Sequence, residues 1–390
     1  MQKKIYDVVI LGAGASGMMC AAHLNEKSDL SVLLVEGNDR AAKKLKISGG
    51  GKCNITNVNV STENYLGDEA LVASILSQFT KEDLLGWLEA RGLRPILRKE
   101  QYYFCPKSSD EIITILQRAT QKSDYAFQQK IKSVSKKSSD GLFTVKTDKA
   151  TYQTKQVVVA TGAKSYASIG ATEIGVSIAN SFGHTNTAFA PALAGLTLQP
   201  KDFWMKSLSG ISFPVKIEVA SKLLQEDMLL THRGLSGPAI LSASLYWNRG
   251  EIIIDLLPKQ TLKQVMHNNR KLLSTALSLP KRFTQLLLEY LMIKDRPCNE
   301  YKDQELQQLQ DAIHSYKLAP AGTYGFTQAE VCKGGVDTMN LNSWTLESHL
   351  SEGIYFIGEV VDVTGELGGY NFQWAFSSGV SVANAIIGGE

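Results

Sequence analysis

The sequence predicts an α/β protein, in which a parallel-sheet domain built from both ends of the chain is interrupted by a β-barrel plus helical insert. Three observations carry this expectation. The opening segment runs strand, glycine turn, helix, strand, acid; the final stretch returns to a strand, an acid and a glycine-led helix; and the residues between them change to alternating strands followed by amphipathic helices. A chain of 390 residues has room for more than one core. With 41 basic against 38 acidic side chains the net charge is only +3, so a nucleic-acid partner recruited by bulk charge is not expected. A composition of 44% hydrophobic and 20% charged residues, without an apolar run of bilayer length, reads as soluble and without a membrane partner. The five cysteines are scattered, with no CxxC and no metal-ligand spacing, which argues against a disulfide scaffold or a metal site and makes a reducing cytoplasm the default.

Residues 5–11 form a β-rich apolar run of the kind buried on both faces of a parallel sheet. Lys3 and Lys4 before it imitate a signal peptide, but the glycines that follow explain the run better. Gly12-Ala13-Gly14-Ala15-Ser16-Gly17 follows, then a helix from Met18, then strand 31–35 ending at Glu36 and Gly37, with the acid 19 residues past the last glycine of the turn. In this fingerprint Gly12 permits the tight turn, Gly14 lets backbone approach a pyrophosphate, and Gly17 allows close helix–strand packing. The helix start offers free N–H groups to phosphate, and Glu36 would accept from ribose hydroxyls while disfavouring a 2′-phosphate.

Ser48-Gly49-Gly50-Gly51-Lys52-Cys53-Asn54 comes next, where consecutive glycines would let a flat ring or phosphate lie on bare backbone; a flexible loop is the bland alternative. Arg40, Lys43, Lys44, Lys46 and Lys52 make this stretch basic, suited to an anion or simply to solvent. Cys53 invites comparison with flavin disulfide reductases, but no second cysteine stands near it in sequence, so a dithiol relay is excluded at this stage. After helices around 68–89 and 109–119, a three-strand meander over 130–152 feeds strand 157–159 and Ala160-Thr161-Gly162, an arrangement that points towards FAD. At the C-terminus, strand 353–357 ends in Gly358-Glu359 with Asp362 beyond, and Gly368-Gly369-Tyr370-Asn371 opens the last helix, whose N–H donors at 369–371 would face the N1–C2=O side of a flavin.

These segments, with Thr231-His232-Arg233-Gly234-Leu235-Ser236-Gly237-Pro238-Ala239 in the insert, resemble the BaiN/YhiN-like family of FAD-dependent oxidoreductases, also labelled aminoacetone oxidase-like. The resemblance covers both ends and the insert. It implies a Rossmann-like FAD-binding domain of the two-dinucleotide-binding flavoprotein type over residues 1–191 and 326–390, interrupted by the barrel and helical insert over 192–325. Its implied cofactor contacts are Gly12, Gly14, Ala15, Ser16, Gly17, Glu36, Gly37, Lys44, Ser48, Gly49, Gly50, Lys52, Cys53, Asn54, Ala160, Thr161, Gly162, Gly358, Glu359, Asp362, Gly369, Tyr370 and Asn371. Lys52 stands where the family usually has Arg, Ala163 replaces a usual Gly, Cys105 falls in a stretch that usually carries Arg-x-Phe-Pro, and Cys332 replaces a usual Thr.

Within the insert, strands are expected over 213–219, 227–231 and 251–256, and helices over 261–278, 281–292 and 303–317. Residues 234–238 should start a helix running to 247, with Ser236 and Pro238 as cap and first-turn residues and His232 beside it as an acid/base candidate. The activity expected is hydride transfer between flavin N5 and a small organic substrate, reset by a nicotinamide dinucleotide or another electron partner. A flavin-carrying RNA-associated or redox-sensing protein without small-molecule turnover is the alternative.

Overall fold

A computed structural model describes residues 4–137, 140–166, 170, 172–267 and 269–389. It divides into two compact units, Met1–Ala190 with Val331–Glu390, and Pro191–Glu330.

The first unit is built on a mixed sheet. Strands Asp124–Ala126, Val32–Val35, Ile5–Leu11, Thr151–Val159 and Ile354–Phe356 lie parallel in that spatial order. Val8 to Leu11 and Val32 to Val35 are buried, as a sheet covered on both faces demands. The meander is Ile131–Lys136, Phe143–Thr147 and Thr151–Val159; its third strand and the expected buried strand are one continuous element. Thr151 to Thr154 pair with the meander, whereas Val157 to Val159 pair with Ile354–Phe356 along the same edge.

Helix Ala15–Lys27 crosses from the first strand and packs on the long C-terminal helix Tyr370–Gly388. Glycine makes this approach feasible: a Cβ at Gly379 would stand 2.6 Å from the Ser16 carbonyl oxygen and 3.1 Å from the Cys20 nitrogen. A smaller sheet, Asn54–Asn57 with Tyr102–Phe104 and Ile96–Arg98, carries the polar end of the glycine-rich segment.

The second unit holds its own core around Val215, Ile217, Leu230, Ile254 and Phe283. Its seven-stranded antiparallel sheet runs Tyr316–Leu318, Ile252–Asp255, Ser212–Val219, Lys222–Leu230, Gly234–Ser236, Leu196–Thr197, Gly322–Thr323. The two edge strands are joined through residues 319–321 alone. Flat, edges separated by six strand spacings would lie about 29 Å apart, and a link of that length reaches only about 14 Å, so the sheet must curl into a barrel-like form.

Three sequence expectations change here. The helix expected over 261–278 is two short helices, Leu262–Met266 and Leu273–Ala276, with residue 268 outside the described residues. The helix expected over 303–317 stops at His314, because Tyr316–Leu318 leaves to pair with Ile252–Asp255. Residues 234–236 do not begin a helix: Leu235 and Ser236 pair with Leu230 and Leu229, and helix Pro238–Tyr246 starts one residue past Gly237, whose φ of 86° only glycine adopts readily. Ser236 is therefore a strand residue and not a cap.

Gly379→Leu drives a side chain into the Ala15–Lys27 backbone and should cost ~2–4 kcal/mol, read as a lower urea midpoint with the slope unchanged. His23, stacked on Trp87 and edge-on to Phe79, with its Nδ1–H on the Met19 carbonyl oxygen, is pushed by burial from 6.5 down to about 4. The unfolded chain then takes up the proton first, so this contribution to stability is complete above pH 6.5 and declines as the pH falls towards 4. His23→Phe should flatten the urea-midpoint profile over that interval; an unaltered slope would refute the assignment.

Candidate functional site

Helix Ala15–Lys27 begins at Gly14 with no side chain capping it, so the N–H groups of Ala15, Ser16 and Gly17 lack intrahelical acceptors. A Cβ on Gly14 would meet nothing within 4 Å, which leaves open space beside these donors. The turn before it is tight: at Gly12, φ is 109° and a Cβ would come 2.4 Å from the Ala160 carbonyl oxygen, while one at Gly17 would come 2.1 Å from the Gly12 carbonyl oxygen. Strand Val32–Val35 delivers Glu36 to the same place. Its Oε2 accepts from the Ala13 N–H (2.9 Å), and its Oε1 accepts from the Asn38 N–H (2.9 Å) and Nδ2 (2.8 Å). Gly37 lies exposed at the following turn.

Residues 43–51 form a helix whose C-terminal part is irregular, with Gly49, Gly50 and Gly51 at φ of 55°, 65° and 82°. Gly49 packs on Phe104, whereas Gly50 and Gly51 face open space. The Ser48 hydroxyl donates to the Leu45 carbonyl oxygen and Asn54 lies at the start of strand Asn54–Asn57, one residue after buried Cys53. Lys52 is half-buried beside them.

The C-terminal segment closes onto these residues through main chain. A Cβ at Gly358 would be 2.6 Å from Ser16 Oγ, and one at Gly369 would be 2.7 Å from the Thr56 Cα. Thr56 Oγ1 donates to Gln373 Oε1 (2.7 Å), Asn57 Nδ2 to the Gly368 carbonyl oxygen (3.0 Å), and Trp374 Nε1 to the Gly358 carbonyl oxygen (3.0 Å). Tyr370 is buried and packs edge-on against Tyr65, whose hydroxyl donates to the Tyr370 carbonyl oxygen. Ala160 and Thr161 follow the central strand, Gly162 lies next to the Glu359 carboxylate, and Asp362 is fixed by its N–H on the Val336 carbonyl oxygen. The segments expected to hold a dinucleotide thus converge within the first unit. Uncapped amide donors and an acid at the second strand suit a dinucleotide, bare backbone at Gly50 and Gly51 leaves space for a flat ring, and the residues fit FAD.

Several of the side chains expected at the cofactor also make contacts within the chain. Lys44 Nζ meets Glu359 Oε2 at 2.6 Å and Ser165 Oγ at 2.8 Å, and Glu359 Oε1 accepts from the Ser165 hydroxyl and the Cys332 N–H. Lys44 and Glu359 therefore bridge distant parts of the unit. The Asn371 amide closes the turn at Gly365, accepting from its N–H and donating to its carbonyl oxygen. The basic stretch is partly neutralised as well: Arg40 and Lys43 share Asp39, and Lys46 pairs with Asp110.

His232 belongs to the other unit. It is exposed on the turn between strands Lys222–Leu230 and Gly234–Ser236, next to Arg233, whose guanidinium lies 4.6 Å from the Tyr324 ring centre. The expectation that Cys53 stands alone is corrected: strand pairing brings Cys105 to it, and the two thiols hydrogen-bond. The sequence signal that could have found Cys105 was the run of Tyr and Phe at 102–104, readable as a strand. Among the described residues no group of three or more His, Cys, Asp or Glu could hold a metal ion, and no helix is long and apolar enough to cross a membrane.

Replacing Glu36 by Gln keeps the shape but removes the charge beside the glycine turn. FAD affinity, followed by flavin fluorescence, should weaken by about tenfold, ~1.4 kcal/mol; unchanged affinity would remove Glu36 from the site.

Comparison with known proteins adds four findings. The chain is 35% identical to the ribosomal RNA dihydrouridine synthases of Haemophilus influenzae and Escherichia coli, with 97% and 98% of this chain and 98% of each relative covered. It is 28% identical to the 3-dehydro-bile acid delta(4,6)-reductase of Clostridium scindens, over 96% of this chain and 98% of that protein. The Sdh1 complex of Mycobacterium smegmatis in the apo form superposes with a TM-score of 0.50 at 14% identity, over 99% of this chain and 69% of that one, which speaks for the fold alone. The HI0933-like protein Rossmann domain matches residues 6–385, and the chain belongs to this family of BaiN/YhiN-like, FAD-dependent oxidoreductases.

Proposed function

We propose that this oxidoreductase works in the reductive direction, saturating a carbon–carbon double bond conjugated to a carbonyl, and that its substrate is a uracil base in ribosomal RNA. The observation that carries the reading is the near full-length similarity to two relatives named for making dihydrouridine in ribosomal RNA. The third relative is named for reducing a conjugated steroid, so the same bond type recurs across the names. A small conjugated ketone is accordingly the second reading, and it keeps the small-molecule substrate that the sequence motifs suggest.

FAD, when bound, supplies hydride chemistry at N5. The chain's own residues supply position and charge. The starts of helices Ala15–Lys27 and Tyr370–Gly388 present main-chain donors, Gly50 and Gly51 leave backbone bare for a flat ring, and the Lys44–Glu359 bridge fixes the C-terminal turn against the helix at 43–51. Saturating the bond takes one hydride and one proton. His232 is the proposed proton donor, and a reduced nicotinamide dinucleotide is the proposed electron source. Because the basic stretch is partly paired with acids, RNA would be selected by shape and base contacts more than by phosphate charge, and its binding should fall only shallowly with salt.

The test is anaerobic stopped flow with the photoreduced holoprotein, mixed with ribosomal RNA transcripts or with a panel of conjugated ketones. Flavin reoxidation by RNA, with dihydrouridine detected after nuclease digestion, is expected. Reoxidation by ketones alone would select the second reading, and reoxidation by neither would overturn both. His232→Ala should lower turnover ~100-fold on the active substrate without altering FAD affinity; undiminished turnover would exclude it as the donor.

A further inference from the structure

The turn at 48–53 and the segment at 105–109 are stitched together along their whole length. The Cys105 N–H is shared by the Lys52 and Cys53 carbonyl oxygens (3.1 and 3.3 Å), the Ser109 N–H donates to the Gly51 carbonyl oxygen (2.8 Å), and the Ser109 hydroxyl to that of Lys46 (2.8 Å). Asn54 pairs with Phe104 across antiparallel strands, and just past the end of that ladder the Cys105 N–H reaches the Cys53 carbonyl oxygen, which sets the two cysteines side by side. Residues joined by such a backbone hydrogen bond have Cα atoms roughly 5–6 Å apart, inside the span a disulfide bridges. Cys53 holds φ at 45°, a left-handed conformation a non-glycine residue adopts only where its surroundings impose it.

The two thiols differ in character. Cys105 accepts a hydrogen bond from the Cys53 thiol and another from the Ile112 N–H in the first turn of helix Asp110–Ala119, and together these hold its pKa below the ordinary thiol value. Cys53 donates its proton to Cys105 and is deeply buried, and both effects push its own pKa up. Cys105 itself is covered, but Pro106 and Ser108 are half-exposed and Lys107 is exposed, so only a thin layer separates it from solvent. Cys20, Cys298 and Cys332 sit in other elements, and burial raises each of their thiol pKa values.

We infer that Cys53 and Cys105 form an oxidisable pair that closes into a cross-strand disulfide when the protein meets a peroxide. The Cys105 thiolate attacks a peroxide oxygen; the O–O bond breaks, water leaves after protonation, and Cys105 becomes a sulfenic acid. Cys53 sulfur then displaces the sulfenic hydroxyl, which departs as water with the Cys53 proton. Two thiols lose two electrons and the peroxide gains them, giving one disulfide and two waters. The bridge would lock the turn bearing Gly49, Gly50 and Gly51 to strand Tyr102–Phe104. The inference is independent of the substrate proposed above.

The experiment treats reduced, FAD-loaded protein with a small excess of hydrogen peroxide, unfolds it in N-ethylmaleimide and counts adducts by intact mass. The expected result is five adducts before oxidation, two fewer after it, restoration by dithiothreitol, and a cross-linked peptide joining Cys53 to Cys105. Cys53→Ser should stop the reaction at the sulfenic acid, trapped on Cys105 by dimedone, and Cys20→Ser should leave the loss of two thiols intact. Five adducts after oxidation, or a cross-link between other cysteines, overturns the proposal without reliance on any variant.

Discussion

Where Gly358 faces the Ser16 side chain and Gly369 faces the Thr56 backbone, main chain from the end of the sequence lies so close to residues from its beginning that a methyl group would collide. The site depends on this contact. It sets the starts of the first and last helices in one region, and it is held by hydrogen bonds that each span most of the chain: Thr56 to Gln373, Asn57 to Gly368, Lys44 to Glu359. Gln373 is fully buried and also donates to the Phe79 carbonyl oxygen and Ser377 Oγ, so this network has its polar groups satisfied internally and stiffens the frame.

Glu359 and Lys44, both expected at the cofactor, also meet each other and share Ser165. A half-buried pair of this kind contributes little net stability, but removing either partner strands the other charge in a poorly solvated place. Its use is geometric, because it joins the helix at 43–51 to the turn at 358–360.

The parts legible in the sequence are those where a local rule governs a local outcome. The strand-turn-helix-strand-acid order is written in residues 5–36, and the structure has Glu36 beside the glycine turn because β-strand geometry leaves it no other place. The Tyr370–Gly388 helix was legible from Gly368-Gly369 for the same reason. What the sequence hid depends on partners far along the chain. Ser236 looks like a helix cap until Leu229 pairs with it; residues 315–317 look helical until Ile254 captures Tyr316; and Cys53 looks solitary until strand register carries Cys105 across a gap no spacing rule covers. The basic stretch lost part of its apparent charge to Asp39, Asp110 and Glu359, the last two of which lie outside any window around it.

Thr151–Val159 takes the meander on the first half of one edge and Ile354–Phe356 on the second half of that edge. During synthesis the second half must wait until the entire 191–330 unit has been made. The nascent N-terminal portion therefore emerges with Val157–Val159 paired to Val9–Leu11 on one edge but bare on the other, and with an uncovered face on its first helix, while the intervening unit, with its own core, can fold meanwhile. The first unit can close only when the last strand and helix, made after everything else, reach that bare edge.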